Sequence, residues 1–282
     1  MYEDLKEELR DKPWLIDKRQ IIKELVPLLR KAIHQPEKVA IAFSGGLDSC
    51  LLAMFSKEFQ LYTVGLNGAE DLIFAQDAAQ QMHWPLKIKI LTLDEAEQTI
   101  DKVLAIYKKH NVPINVTNIG VGCVVYEVLK LAKEDGMKKI LGGLGAEETF
   151  AGYQRHIAYG ENFDTGFIQE QLWLGWKEME TRDLARDIAI AKEIGIELVA
   201  PFLNRDLVKY GMQIHPALKI SKEQKKIILR DVALHFKLPA VFALRKKKAA
   251  QYGSKFDRAL TKLAKRYKLA YKREFVEQKQ QE

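Results

Sequence analysis

The sequence predicts an α/β protein, with an open parallel sheet in its first half and a mostly helical second half. Three observations predict this. Up to about residue 150, runs of strand length alternate with segments of helical spacing, the order that right-handed βαβ units require. One run, Val39 to Phe43, is apolar throughout, as a parallel strand covered on both faces must be. Beyond about residue 150 the spacing turns almost wholly helical.

Taken in order, Ile21, Ile22, Leu25, Leu28, Leu29 and Ile33 share one helical face, with a kink expected at Pro27 and a stop at Gln35-Pro36. Val39 to Phe43 is the first strand. Leu51 to Phe59 reads as a helix, Leu61 to Leu66 as a strand and Ala69 to Met82 as a helix. Leu86, Ile88 and Ile90 alternate as a third strand. Helical spacing follows over Asp94 to Lys109 and Val121 to Lys133, then a fourth strand over Lys138 to Gly142. Arg182 to Ile194 is helical, Glu197 to Leu203 a short apolar strand or extended segment, and the remainder helical up to Gln-rich last residues expected to fray. The segmentation is residues 1–38 as an N-terminal helical segment, 39–258 as the main α/β domain, and 259–282 as a basic C-terminal helix or tail.

Composition narrows the class. Of 282 residues, 47% are hydrophobic and 29% charged, a globular balance rather than a disordered one. No apolar run has the length of a membrane span, and the N-terminus lacks the apolar stretch of a signal peptide. Cys50 and Cys123 form no CxxC pair and suit core positions, so disulfide scaffolds and thiol carriers are disfavoured and a cytoplasmic protein is expected. The net charge of +7 is a C-terminal feature: Ala240 to Glu282 holds thirteen Lys and Arg against four Asp and Glu, or +9, leaving −2 for the rest. No aromatic-interleaved or named module accompanies these charges, which weighs against nucleic acid as a partner.

The strongest chemical signal is Ser44-Gly45-Gly46-Leu47-Asp48-Ser49, directly after the first strand. Glycines let backbone amides close around phosphate oxygens, and the N-terminus of a following helix favours an anion. Asp48 in such a cradle is repulsive unless a divalent cation lies between it and the phosphates. An ordinary strand-to-helix turn capped by Ser44 needs neither the second glycine nor Asp48.

This loop resembles that of the ATP pyrophosphatases, and later segments point within that group to the asparagine synthetases. Gly142 to Tyr153 (GGLGAEETFAGY) is similar to their SGEGADELFGGY, and Ala200 to Asn204 to their VPFLD. Lys226 to Arg230 is similar to KxxLR, Leu238-Pro239 to LP, and Arg245-Lys246-Lys247 to RxK. The matches run in order from about residue 18 to 258, and Ala151 to His156 with Lys247 to Ser254 resemble the asparagine synthetase domain-containing branch.

The resemblance implies an adenine nucleotide α-hydrolase-like, Rossmann-like fold and an ATP- and magnesium-dependent ligase that adenylates a carboxylate, aspartate by default. Ser44, Gly45, Gly46, Leu47, Asp48 and Ser49 would bind the ATP phosphates, Val64 and Gly65 would border the adenine, and Gly143 would approach the nucleotide. Asp48 and Glu147 would bind magnesium, Glu147 replacing the family's Asp. Lys226 and Lys247 would be the catalytic cations. Leu144 departs from the pattern, because the family carries a proton-accepting Glu there and leucine is no base; Glu148 or water would then take the proton, or the substrate differs. No N-terminal cysteine nucleophile follows Met1, so the nitrogen is expected as free ammonia or from a separate glutaminase chain. A homodimer stays open as a partner arrangement. A tRNA-modifying enzyme of the same loop class and a non-catalytic ATP-binding subunit are the alternatives. The histidines lack zinc-site spacing, Arg155 and His156 are candidates for substrate contact or a surface ion pair, and Trp173 and Trp176 for core packing or an interface.

Overall fold

A computed structural model describes residues 2–162, 164–246 and 248–281. Five parallel strands form one sheet: β1 (Val39–Ala42), β2 (Phe59–Leu66), β3 (Leu86–Leu91), β4 (Lys139–Leu141) and β5 (Glu197–Val199), in the order β3-β2-β1-β4-β5. The expected open parallel sheet is present. Residues on alternate faces of the central strands feed different cores. Ala40, Tyr62, Val64 and Ile140 pack with helices Leu93–His110, Val116–Glu134, Ala185–Ile194 and Phe256–Arg266. Val39, Ile41, Leu61 and Leu141 pack with Lys18–Ile33, Leu47–Phe55 and Ile227–His235. A parallel sheet must be covered this way because its crossover helices lie on both faces.

Several local expectations shift. The helix after β1 spans Leu47–Phe55, and Phe59 is the first residue of β2. It starts early because Gly46 adopts an extended cap conformation with no side-chain cap, so Ser44 is not its N-cap. The next-but-two helix begins at Val116 rather than Val121, since the Asn115 side chain accepts from the Asn118 amide. Lys18–Ile33 continues through Pro27 as one helix. Beyond β5 the chain forms a short 3-10 turn, Pro201–Leu203, in place of continued extension. The Gln-rich end is assigned as helix, Lys272–Gln281, with Phe275 and Val276 buried. Lys279 adds ion pairs to Glu97 and Asp101 at 3.3 Å each.

A third apolar cluster, built from Leu5, Leu172, Trp173, Trp176, Met179, Val208, Met212 and Ile220, joins the N-terminal helix to the helical half. Trp173 and Trp176 are core residues here. Cys50 and Cys123 are buried and unbridged. Among the described residues, no helix is long and apolar enough to cross a membrane.

The sheet order fixes where a ligand can enter. Successive crossovers run outward from β1 in one direction to β3, and the chain then returns to the other side of β1 to lay down β4. At such a reversal the loops after the two adjacent strands separate and leave a crevice at their carboxyl ends. Ala40 and Ile41 pair with Ile140 and Leu141, so β1 ends one residue beyond β4.

Candidate active site

The loop after β1 is shaped by its neighbours. Gly45 has φ +64, and a Cβ there would lie 2.5 Å from the Phe74 carbonyl oxygen and 2.9 Å from the Ala75 nitrogen. Only glycine satisfies both constraints. Ser49 closes the loop from within: its hydroxyl donates to the Gly46 carbonyl at 3.0 Å and accepts from the Ser44 amide at 3.4 Å. Among the described residues, no backbone acceptor takes the amides of Gly45, Gly46, Leu47 or Asp48. These are the orphan donors of a helix start, turned toward the crevice end of β1. Leu47 itself is buried beneath them.

The loop after β4 approaches from the other side. A Cβ on Gly143 would sit 3.2 Å from the Asp48 Cβ, so a side chain at 143 would crowd the approach of the two loops. Gly145, at φ +97, packs against Phe202 and Leu203, where a Cβ would come within 2.3 Å of the Leu203 side chain. The helix Ala146–Thr149 then begins and presents Glu147.

Lys226 ties these loops together. It has φ +55 and starts the helix Ile227–His235. Its Nζ donates to Asp48 Oδ2 at 2.6 Å and pairs with Glu147 Oε1 at 3.0 Å. Gly152 makes room, because a Cβ there would overlap the Glu147 carboxylate and the Lys226 Cε. Burial pulls the Lys226 pKa down, but Asp48 and Glu147 together outweigh it, and the ammonium is held above the ordinary lysine range. The neighbouring Lys225 is lowered by burial, only partly offset by Glu147.

Two carboxylates and a buried cation at the mouth of a phosphate-type loop can hold polyanions and a divalent ion. Asp48 Oδ1 is buried and has no hydrogen-bond partner among the described residues. Hard cations take oxygen ligands of this kind and fill the rest of their shell with phosphate oxygens. Asp48 and Glu147 therefore fit magnesium, provided the nucleotide completes the shell. No group of three or more His, Cys, Asp or Glu among the described residues could hold a metal alone.

The remaining sequence candidates divide. Val64 and Gly65 lie at the carboxyl end of β2, where Leu66 donates to the Ser254 carbonyl at 3.0 Å and Ser254 covers Gly65. Lys247 lies outside the described residues. Lys248 pairs with Glu70 at 2.6 Å. Leu144 packs against the third apolar cluster, so its side chain serves packing. Glu148 is fully buried; burial raises its carboxyl to about 7, and Tyr153 donates its hydroxyl to it. His156 is a core residue, not a surface one, with burial lowering its pKa to about 3. Arg155 lies over the Tyr153 ring at 4.2 Å and pairs with Glu178 at 3.9 Å. Part of the basic C-terminal stretch is engaged in intramolecular pairs, such as Arg266 with Asp94 at 2.6 Å and Lys272 with Asp257.

Among the buried cations that escaped sequence reasoning, two lie near this site. Arg245 was visible only as the first letter of RxK, and its guanidinium meets the phosphate-type loop at Ser44. Lys219 carried no signal, since a lysine in Pro216-Ala217-Leu218-Lys219-Ile220 reads as a solvated side chain, yet it is fully buried.

Comparison with known proteins shows what the chain is similar to. Residues 24–166 and 162–276 match the model of the asparagine synthase family. A putative asparagine synthetase (glutamine-hydrolyzing) 1 of Methanocaldococcus jannaschii is 32% identical over 278 residues, covering 86% of this chain and 50% of that protein. Asparagine synthetase B (glutamine-hydrolyzing) of Escherichia coli is 26% identical over 251 residues, covering 82% of this chain and 44% of the relative. The mouse asparagine synthetase domain-containing protein 1 is 30% identical over 141 residues, 48% of this chain and 22% of that protein. The chain thus spans half or less of the length of these relatives.

Proposed function

Because the chain belongs to the asparagine synthase family, we propose that it is an ATP- and magnesium-dependent ligase that joins a carboxylate to ammonia and releases AMP and pyrophosphate. The observation that carries this reading is the Lys226 ammonium between Asp48 and Glu147 at the mouth of the Ser44–Ser49 loop. An oxygen of the substrate carboxylate, aspartate in the first instance, attacks the α-phosphorus, and the bond to pyrophosphate breaks. Ammonia then attacks the acyl carbon, the bond to AMP breaks, and one proton leaves the nitrogen.

The chain's part is positioning and charge stabilisation. The amides of Gly45, Gly46 and Leu47, with Ser44 and Ser49, cradle the phosphates, while Val64 and Gly65 border the adenine. Asp48 and Glu147 hold magnesium, which when bound neutralises phosphate charge. Gly143 keeps the second loop close to the nucleotide. Lys226, a cation already desolvated, offsets charge on the departing pyrophosphate, with Lys247 as a second cation. Leu144 cannot accept the ammonia proton, which leaves Glu148 or water to do so.

The test is AMP and pyrophosphate release from ATP and magnesium with aspartate alone and with aspartate plus ammonium, using Asp48→Ala as the blank. Aspartate-dependent release that yields asparagine only with ammonium supports the reading. ATP binding without release in either mixture overturns it in favour of a non-catalytic nucleotide-binding subunit. Salt-sensitive retention of tRNA, with release only in its presence, overturns it in favour of an RNA-modifying enzyme.

A further inference from the structure

The Arg245 side chain is 3% exposed and sits where three parts of the chain meet. Nη1 donates to the Ser44 carbonyl at 2.7 Å, and Nη2 donates to Asp71 Oδ1 at 2.9 Å, with Glu70 Oε1 at 3.5 Å. The guanidinium lies 3.8 Å from the centroid of the Phe74 ring. Phe74 belongs to the helix Glu70–Gln81, whose backbone also backs onto Gly45. Asp71 is enclosed from the far side by Gly253, where a Cβ would approach its carboxylate to 2.2 Å. Arg245 is itself fixed: its carbonyl accepts from both Arg230 Nη atoms at 3.4 Å, and Arg230 Nη1 donates to the Ala243 carbonyl at 2.5 Å. Arg230 lies one helical turn after Lys226.

A trans peptide is rigid, and its carbonyl and amide point in opposite directions. Anchoring the Ser44 carbonyl on Arg245 therefore turns the Gly45 amide the other way, and Gly45 at φ +64 carries the turn into the amides that follow. The planar fork of arginine can reach a carbonyl and a carboxylate at once while its face rests on a ring; a lysine can offer only a point charge. Asp71 supplies the counter-charge that lets the guanidinium stay buried.

We propose that Arg245 is a positioning residue for ATP: acting through Ser44, it sets the orientation of the phosphate-binding amides and couples them to Asp71 and to the segment after Lys226. This inference rests on the ligase reading above, since it presumes that the loop receives ATP phosphates.

The experiment compares wild type, Arg245→Met, Arg245→Lys and Asp71→Asn by ATP affinity in direct titration, by KM for ATP against kcat for AMP formation, and by Tm. Arg245→Met should weaken ATP binding and raise its KM by about 10–100-fold, with kcat falling less, as expected from displacing a binding group by about an ångström. Arg245→Lys should recover only part of the affinity, and Asp71→Asn should shift it in the same direction by a smaller factor. Millimolar methylguanidinium should restore ATP affinity to Arg245→Ala, which vacates the guanidinium's place, and a general loss of stability would not allow this. If Arg245→Met fails to fold, the lysine and Asp71 variants decide. Affinity for ATP within twofold of wild type in folded variants overturns the proposal, as does a fall in kcat at unchanged affinity. Wild-type protein that neither binds ATP nor forms AMP overturns the ligase reading instead.

Discussion

Two lysines at the ends of one hairpin have opposite fates. Lys219 and Lys226 flank a turn closed by the Ile220–Lys225 bridge, and the Ile227 amide donates to the Lys219 carbonyl at 2.9 Å. Both side chains are buried. Lys226 meets Asp48 and Glu147, and its pKa rises. Lys219 Nζ has no hydrogen-bond partner among the described residues, and burial alone drops its pKa to about 7. The burial cost acts on both, so counter-ions decide the outcome. One lysine is a pre-placed cation; the other loads the fold with a charge it does not stabilise. The hairpin thus couples a site built for charge to a neighbour that costs stability.

The sharpest way to break this comparison is to remove the paired lysine. Lys226→Met should reduce AMP formation by more than about 100-fold, the scale of losing a preorganised charge-stabilising group. It also leaves Asp48 and Glu147 facing each other with no ammonium between them. Tm should therefore fall, and magnesium added together with ATP should recover part of the loss, because a divalent ion whose shell the nucleotide completes can replace the lost cation. An unchanged Tm would mean that the two carboxylates do not repel each other across the vacated site.

The unpaired lysine should respond in the other direction. A shift from 10.5 to about 7 corresponds to several kcal/mol against the charged form, at about 1.4 kcal/mol per pKa unit. Lys219→Met, similar in length and apolar, should raise stability near neutral pH by about 2–4 kcal/mol, read as denaturant midpoint. A loss of stability would mean that Lys219 has an anionic partner in solution.

What the sequence revealed of this contrast was uneven, for physical reasons. The strands, the glycine loop and Lys226 were legible because each depends on local spacing or on a short motif. The start of the helix at Leu47 was missed because Asp48 and Ser49 interrupt its apolar period, whereas the glycine cap sets the boundary. The docking of the C-terminal helix's last turns was hidden by a polar composition that dilutes Phe275 and Val276. Arg245 and Lys219 were illegible for a different reason. Arg245 meets Ser44 and Asp71 across 201 and 174 residues of chain, and no spacing rule reaches that far. The burial of Lys219, like the buried pairs of Arg186 with Asp183 and Asp187, is decided by what folds over it.

Dependence on pH sharpens the comparison further. Between about 7 and 10.5, unfolded Lys219 binds a proton that the folded form releases, so stability should rise with pH across that window. Below about 7 both forms are protonated and the cost is complete. The stability difference between Lys219→Met and wild type should therefore be greatest below pH 7 and close as pH approaches 10.5. A difference independent of pH would assign the gain to packing.

The smallest effect tests the same rule with the sign of the charge reversed. Burial raises the Glu148 carboxyl from 4.5 to about 7, against the lowering effect of the Tyr153 hydroxyl. Folded Glu148 thus holds a proton that the unfolded chain releases between 4.5 and about 7. Stability from this group is complete below 4.5 and is lost as pH rises through about 7. Glu148→Gln keeps a hydrogen-bonding side chain without the titration, so it should flatten that slope and gain about 1–2 kcal/mol over wild type at pH 8. The gain is smaller than at Lys219 because Tyr153 already solvates the carboxylate in part, where Lys219 has only burial. If Glu148→Gln leaves the slope between pH 5 and 7 unchanged, the carboxyl titrates as an ordinary one. Its burial would then be offset as fully as that of Lys226, and the lone lysine would stand as the exception in this part of the fold.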